Sequence, residues 1–150
     1  MVTIFSTPKD FTGLFETIQL NALRSWRALS PEIQIIIFGD SDGSQEAAEE
    51  IRAEYIPNVK CSSQGTPLLS DMFRQADIKA KFPILTFINA DIILPNNFLS
   101  TVEIPANLFK NFLMVGHRWD MDVKEIINFN TISKQKIFWK KMANTSIKHS

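Results

Sequence analysis

A single cysteine, Cys61, leaves this 150-residue chain without an internal disulfide, which excludes a disulfide-stapled secreted scaffold. Long apolar runs are missing as well. The longest stretch without a charged residue is 92–102, well short of the roughly 18 residues that a membrane-spanning helix needs. The N-terminus, Met1-Val2-Thr3-Ile4-Phe5, has neither the basic start nor the small-residue cleavage site of a secretory signal, so a reducing, cytoplasmic setting is expected. Net charge is also absent, because 16 basic and 16 acidic side chains cancel. A chain without a cationic surplus is a poor nucleic-acid binder, since that affinity comes mostly from neutralising phosphates. With 45% of its residues apolar, the chain is expected to fold as one globular domain.

The cancelled charge hides an asymmetry. All 16 acids lie at or before Glu125, whereas five lysines (Lys134, Lys136, Lys140, Lys141 and Lys148) follow it. Eleven bases against sixteen acids leave the first 125 residues five charges negative, and the last 25 five charges positive. Two readings of the basic, helical segment 126–150 stand. It packs back as a solvated tail on the acidic body of the same single domain, or it meets a membrane surface or partner with Ile137, Phe138, Trp139 and Met142 as its apolar side.

Residues 2–6 form a short β-branched and aromatic run stopped at Thr7-Pro8, where proline removes a ladder donor. Within 14–29, Phe15, Ile18, Ala22, Trp26 and Leu29 recur at three- and four-residue spacing, which predicts an amphipathic helix. Residues 33–38 read as a second buried strand, ended by Gly39-Asp40-Ser41-Asp42-Gly43. A helix over 44–55 carries its acids toward the front, as the helix dipole prefers. After a brief strand at 59–61, Thr66-Pro67 supplies an N-cap and a first-turn proline for a helix reaching about Ala80, with Leu69, Met72 or Phe73, and Ala76 inward. Residues 82–88 are another apolar strand, ending at Asn89-Ala90-Asp91. Strands alternating with helices predict an α/β fold, a three-layer α/β/α arrangement around a mostly parallel central sheet. Further on, 98–109 reads as a helix interrupted at Pro105, 112–116 as a strand and 126–141 as a helix.

Ligands of parallel sheets bind at the carboxyl ends of the strands. Three polar clusters fall there: Ser6-Thr7-Pro8, Asp40-Ser41-Asp42-Gly43-Ser44 and Asn89-Ala90-Asp91. For Asp42-Gly43-Ser44 taken alone a plain turn is the favoured explanation. Asp91 differs, because a carboxylate closing a buried strand is costly unless paired, capped or bound to a cation. Asn89 and Asp91, two apart on an extended segment, would point to one side and offer oxygens to a hard divalent ion such as magnesium or manganese.

In this order the motifs resemble the nucleotide-sugar-binding half of GT-A fold glycosyltransferases of the family 2 type. The resemblance rests on the short first strand, the acidic turn Gly39-Asp40-Ser41-Asp42-Gly43-Ser44, the glycine loop Gln64-Gly65-Thr66-Pro67-Leu68-Leu69 with Asp71, and the strand Leu85-Thr86-Phe87-Ile88 running into Asn89-Ala90-Asp91. It covers about residues 2–98, with 112–122 as an extension, and implies that 1–125 is a nucleotide-sugar-binding domain. Ser6 and Thr7, with Asp40 or Asp42, would then hold the base and ribose of a nucleotide diphosphate sugar. Gly65 and Thr66 would let the chain approach the nucleoside, and Asp91 with Asn89 would bind the metal that neutralises charge on the leaving diphosphate. Asn89 stands where the family's Asp-x-Asp motif has its first acid, which lowers the charge offered to a metal.

A second acid pair, Asp120-Met121-Asp122, follows Gly116-His117-Arg118-Trp119. The resemblance implies that Asp120 or Asp122 binds the donor sugar or acts as the base, and that His117 or Arg118 faces phosphate. A surface-anchoring loop explains the same residues without chemistry. His149 has no partner in sequence, and Cys61, lacking a histidine nearby, reads as an inert thiol. The expected function is transfer of a sugar from a nucleotide diphosphate donor to an acceptor the sequence does not name. Only 28 residues follow Asp122, so the rival from another class is a shortened, non-catalytic nucleotide-binding or protein-interaction module with the same fold. A receiver-like signalling domain fits less well, because Ser6-Thr7-Pro8 stands where acids would end its first strand.

Overall fold

A computed structural model describes residues 1–129, 131–143 and 147–148. The most apolar runs of the chain build its centre. Strands β1 (Val2–Ser6) and β2 (Gln34–Phe38) are buried at every position. They pair in parallel, with Thr3 opposite Gln34 and Ser6 opposite Ile37. On the far side of β1 lies β4 (Ile84–Phe87), with Val2 opposite Ile84, and on the far side of β2 lies β3 (Glu54–Ile56). The sheet order is therefore β3-β2-β1-β4, all parallel. A parallel strand needs a crossover on its way back, and the helices supply it: α1 (Gly13–Leu29), α2 (Ser44–Glu50) and α3 (Leu69–Lys79), followed by α4 (Phe98–Leu108) and α5 (Ile132–Ala143).

The two sheet faces carry separate cores. Val2, Ile4, Ile35 and Ile37 pack against Ala22, Leu23 and Trp26 of α1, Ala47 and Ala48 of α2, and Val102 of α4. On the other face Phe5, Ile36 and Phe38 meet Met72 and Ala76 of α3. Phe73 lies partly exposed, with its ring edge-to-face on Phe5 at 4.9 Å between centroids. Helices on both faces of a parallel sheet bear out the α/β expectation. A third, small core joins Phe129, Phe138 and Met142 to Ile93, Met121 and Val123. Beside it β5 (Trp119–Asp120) pairs antiparallel with β6 (Ile147–Lys148).

Several expected elements differ. The helix expected over 44–55 ends at Glu50, because Arg52 takes a left-handed φ of 55°. Its N–H bonds the Glu49 carbonyl and the Ala53 N–H bonds the Ala48 carbonyl at 2.8 Å, a Schellman closure with arginine where glycine is usual. The chain thus turns early into β3, and 59–61 is not the third strand; Cys61 instead bridges Pro67 across a hairpin. Thr66-Pro67 therefore belongs to that hairpin, and α3 starts after Leu68. Pro105 does not interrupt α4, where the Phe109 N–H still reaches the Pro105 carbonyl at 2.9 Å. Among the described residues, 112–116 pair with no strand, and they are exposed throughout. The last helix begins at Ile132 rather than 126, and the fully buried Asn21 amide ties down the backbone before it, donating to the Glu125 carbonyl at 2.8 Å and accepting from Ile127 N–H at 2.7 Å.

The buried face of α1 is also more polar than its periodicity predicts. Gln19, Asn21 and Ser25 are buried beside Ala22 and Trp26, while Phe15 is half exposed. Each polar side chain bonds backbone: Gln19 exchanges two bonds with Lys9, and Ser25 Oγ accepts from Leu94 N–H at 3.0 Å. Trp26 Nε1 donates to the Ile92 carbonyl at 2.8 Å. These bonds fix the segment that carries Asp91 against the helix.

Candidate functional site at the carboxyl rim of the sheet

Because all four strands run the same way, Ser6, Phe38, Ile56 and Phe87 end at one rim. The ladder reaches the edge of the candidate site, where Ile88 N–H donates to the Phe5 carbonyl at 3.2 Å and Gly39 N–H to the Ile56 carbonyl at 3.0 Å. Thr7 and Gly39 are neighbours, as a Cβ added to Gly39 would lie 3.1 Å from Thr7 Oγ1. Ser6 is fully buried, so of that pair only Thr7 reaches the surface. Ser6 Oγ has no hydrogen-bond partner among the described residues.

The loop after β1 is laced to the loop after β2. Ser41 Oγ donates to the Pro8 carbonyl at 3.0 Å, Asp42 N–H to Asp10 Oδ1 at 3.0 Å, and Phe11 N–H to the Asp42 carbonyl at 2.8 Å. Gly43 closes the arrangement with φ of 82°, and a Cβ there would come within 2.8 Å of Phe11 Cβ. Asp40 and Asp42 are both exposed above this platform. Burial, followed by the negative charges of Asp40 and Glu46, pushes the Tyr55 hydroxyl above its ordinary value. Tyr55 and Asp10 thus join the rim although neither falls in the polar clusters.

The third wall is the 60–68 hairpin, in which Gly65 and Thr66 are exposed and Ser62 N–H bonds the Thr66 carbonyl at 2.8 Å. Asp71 ties this hairpin to α3. Its buried carboxylate accepts from Lys60 N–H at 3.0 Å, from Arg74 Nη2 at 2.7 Å and from Gln75 Nε2 at 2.8 Å. The Lys60 N–H, then Arg74 and Gln75, hold that carboxyl well below the usual carboxylate range. Every oxygen of Asp71 is thus engaged, so its role is to shape the wall.

Asn89 and Asp91 follow β4 at the same rim, but not as an extended pair. Ile92 N–H bonds the Asn89 carbonyl at 3.1 Å, so 89–92 is a turn that leaves both side chains exposed and buries Ala90 between them. Asp91 therefore escapes the desolvation that made it suspicious as a buried strand end. Among the described residues no three His, Cys, Asp or Glu side chains cluster as a ready-made metal cage. One amide and one carboxylate on an exposed turn suit an ion shared with a diphosphate, since hard cations take oxygen ligands from ligand and water as readily as from protein.

Asp120 and Asp122 belong to the neighbouring small core. Met121 and Val123 pack in the same cluster as Ile93, two residues beyond Asp91, which brings this segment toward the loop after β4. Both acids are exposed and ion-paired, Asp120 with Arg118 at 3.0 Å and Asp122 with Lys124 at 3.0 Å. His117 is exposed, and His149 lies outside the described residues. Two concavities lie away from the rim. One of about 220 Å³ sits at the opposite end of the sheet around Arg27 and Gln34. The guanidinium of Arg27 is used up there on the carbonyls of Ser30, Pro31, Ile33, Ile51 and Arg52. The other, an open groove of about 680 Å³, runs between α1, α2 and residues 126–129. Comparison with protein-family models, curated proteins and solved structures finds no match for this chain.

Proposed function

We propose that the chain binds a nucleotide diphosphate sugar at the carboxyl rim and passes the sugar to an acceptor, as a glycosyltransferase-like protein. The observation that carries this reading is the convergence of Thr7, Asp40 and the Asn89/Asp91 turn at the ends of the adjacent parallel strands β1, β2 and β4. Thr7 and Asp40 offer a hydroxyl and a carboxylate to base and ribose, over a floor pre-set by the laced 8–12 and 41–43 loops. Gly65 and Thr66 border the nucleoside from the hairpin. Asn89 and Asp91 would hold a manganese or magnesium ion shared with the diphosphate, which supplies charge neutralisation for the leaving group. Asp120 or Asp122 would serve the sugar or the acceptor, and Arg118 the phosphates.

A thermal-shift panel of uridine, guanosine, thymidine and cytidine diphosphates, with and without manganese, tests the donor site. At about 100 times the dissociation constant, linkage gives about 2.7 kcal/mol, or roughly 5–10 °C for a chain of this size. Asp91→Asn is expected to abolish the manganese-dependent part and keep the fold. No shift with any of the four sinks the reading. A non-catalytic nucleotide-binding module is the second reading, favoured by the ion pairs that occupy both Asp120 and Asp122. Release of nucleoside diphosphate from a nucleotide sugar separates the two, being absent in the module.

A further inference from the structure

Two stretches of the chain carry cations but no acid: 104–119, with Lys110, His117 and Arg118, and 126–150, with five lysines. The first is an uncovered apolar strip. Leu108, Phe109, Leu113, Val115 and Trp119 are all more than half exposed, Leu113 at 91% and Val115 at 78%. At roughly 150–250 Å² for a whole large side chain, these five leave on the order of 600 Å² of apolar surface in water. The second stretch contains α5, which turns Phe138 and Met142 into the small core and leaves Lys134, Lys136, Ile137, Lys140 and Lys141 exposed. The two stretches meet, because Trp119 at the end of the strip lies in β5, whose partner β6 follows α5.

We infer that this combined surface docks the protein on an anionic lipid bilayer. The lysines of α5 meet headgroup phosphates and carboxylates, and Leu113, Val115 and Trp119 enter the acyl boundary. Charge complementarity selects this occupant. A surface with a surplus of cations, beside apolar side chains more than half exposed, matches the negative, deformable face of a membrane. Two copies of the chain meeting there would oppose like charge to like. This arrangement differs from a helix lying apolar side down, since the apolar side of α5 is already used internally.

Co-sedimentation with vesicles tests the proposal. The full chain is expected to bind phosphatidylcholine vesicles containing phosphatidylserine, to bind phosphatidylcholine alone far more weakly, and to lose affinity as salt is raised. Replacing Lys136→Gln and Lys140→Gln together is expected to weaken binding about thirtyfold, roughly fivefold for each lysine removed from near the surface. Leu113→Ser with Val115→Ser is expected to weaken it by about tenfold or more. All four positions are exposed, so circular dichroism should be unchanged. Absence of binding to either vesicle, equal binding to both, or wild-type affinity in either double variant overturns the inference. So does a dimer in light scattering that Leu113→Ser abolishes while vesicle binding is absent, which would assign the strip to a second copy.

Discussion

Gly43→Ala probes whether the rim is held as described. At φ of 82° an alanine must adopt the left-handed region, which costs roughly 1–2 kcal/mol. Its methyl would also lie 2.8 Å from Phe11 Cβ. That atom is fixed to the backbone, so relief requires the 8–12 loop itself to move. Such a shift breaks the Phe11 N–H bond to the Asp42 carbonyl and the Asp42 N–H bond to Asp10, at about 1 kcal/mol each. The sum is about 3–4 kcal/mol, a large part of a small domain's stability. Urea unfolding measures it, and a second background isolates the cause. In Phe11→Gly the obstructing Cβ is gone, so the same substitution should cost only the backbone part, roughly 1–2 kcal/mol, leaving a coupling of about 2 kcal/mol. Equal costs in the two backgrounds would show that the methyl meets no obstacle at Phe11. A cost near zero in both would refute the left-handed turn.

Two further outcomes are expected. Arg52→Gly should raise stability by about 1 kcal/mol in urea unfolding, because glycine takes the left-handed C-terminal position without the penalty arginine carries at φ of 55°. For Asp71 the folded carboxyl lies below its unfolded value, so its ionisation stabilises the fold fully above the ordinary aspartate range, near pH 4, and that contribution fades as the pH falls. Unfolding curves of wild type and Asp71→Asn should therefore converge between neutral and strongly acidic pH, and a gap that stays constant would exclude this origin.

Strands β1 and β2 are legible because each is a continuous apolar run stopped by a Pro or Gly-Asp signal. β3 is not, since three residues carry too little pattern and the helix before it is ended by an arginine in a conformation that sequence gives no reason to expect there. Thr66-Pro67 misleads because proline is also tolerated at an isolated bridge, where no continuing ladder needs its missing N–H. The buried polar side of α1 is hidden for a different reason: Asn21 finds its partners more than 100 residues away, and Trp26 finds its own 66 residues away. At the site, topology alone places Thr7, Asp40 and Asp91 on one rim. The lacing of 8–12 to 41–43 and the clamp around Asp71 depend on backbone geometry, and the turn at 89–92 depends on how tightly the chain bends after β4. The strip at 112–116 is a short continuous apolar run like those of β1 and β2, yet among the described residues no strand edge receives it.

The position of β1 inside the sheet also sets an order of events during synthesis. It is made before the other three strands of this sheet and pairs with β2 some thirty residues later, but its other edge waits for β4, with Val2 opposite Ile84. Between the last residue of β2 and the last of β4 the ribosome adds about fifty residues, which takes roughly 2–10 s at 5–20 residues per second. For that interval the nascent chain holds an open parallel edge along Val2–Ser6, five residues without a charge to discourage pairing with another chain. Emerging chains crowded on one messenger would be most prone to stick to each other in that window, and a chaperone acting there would need to cover β1.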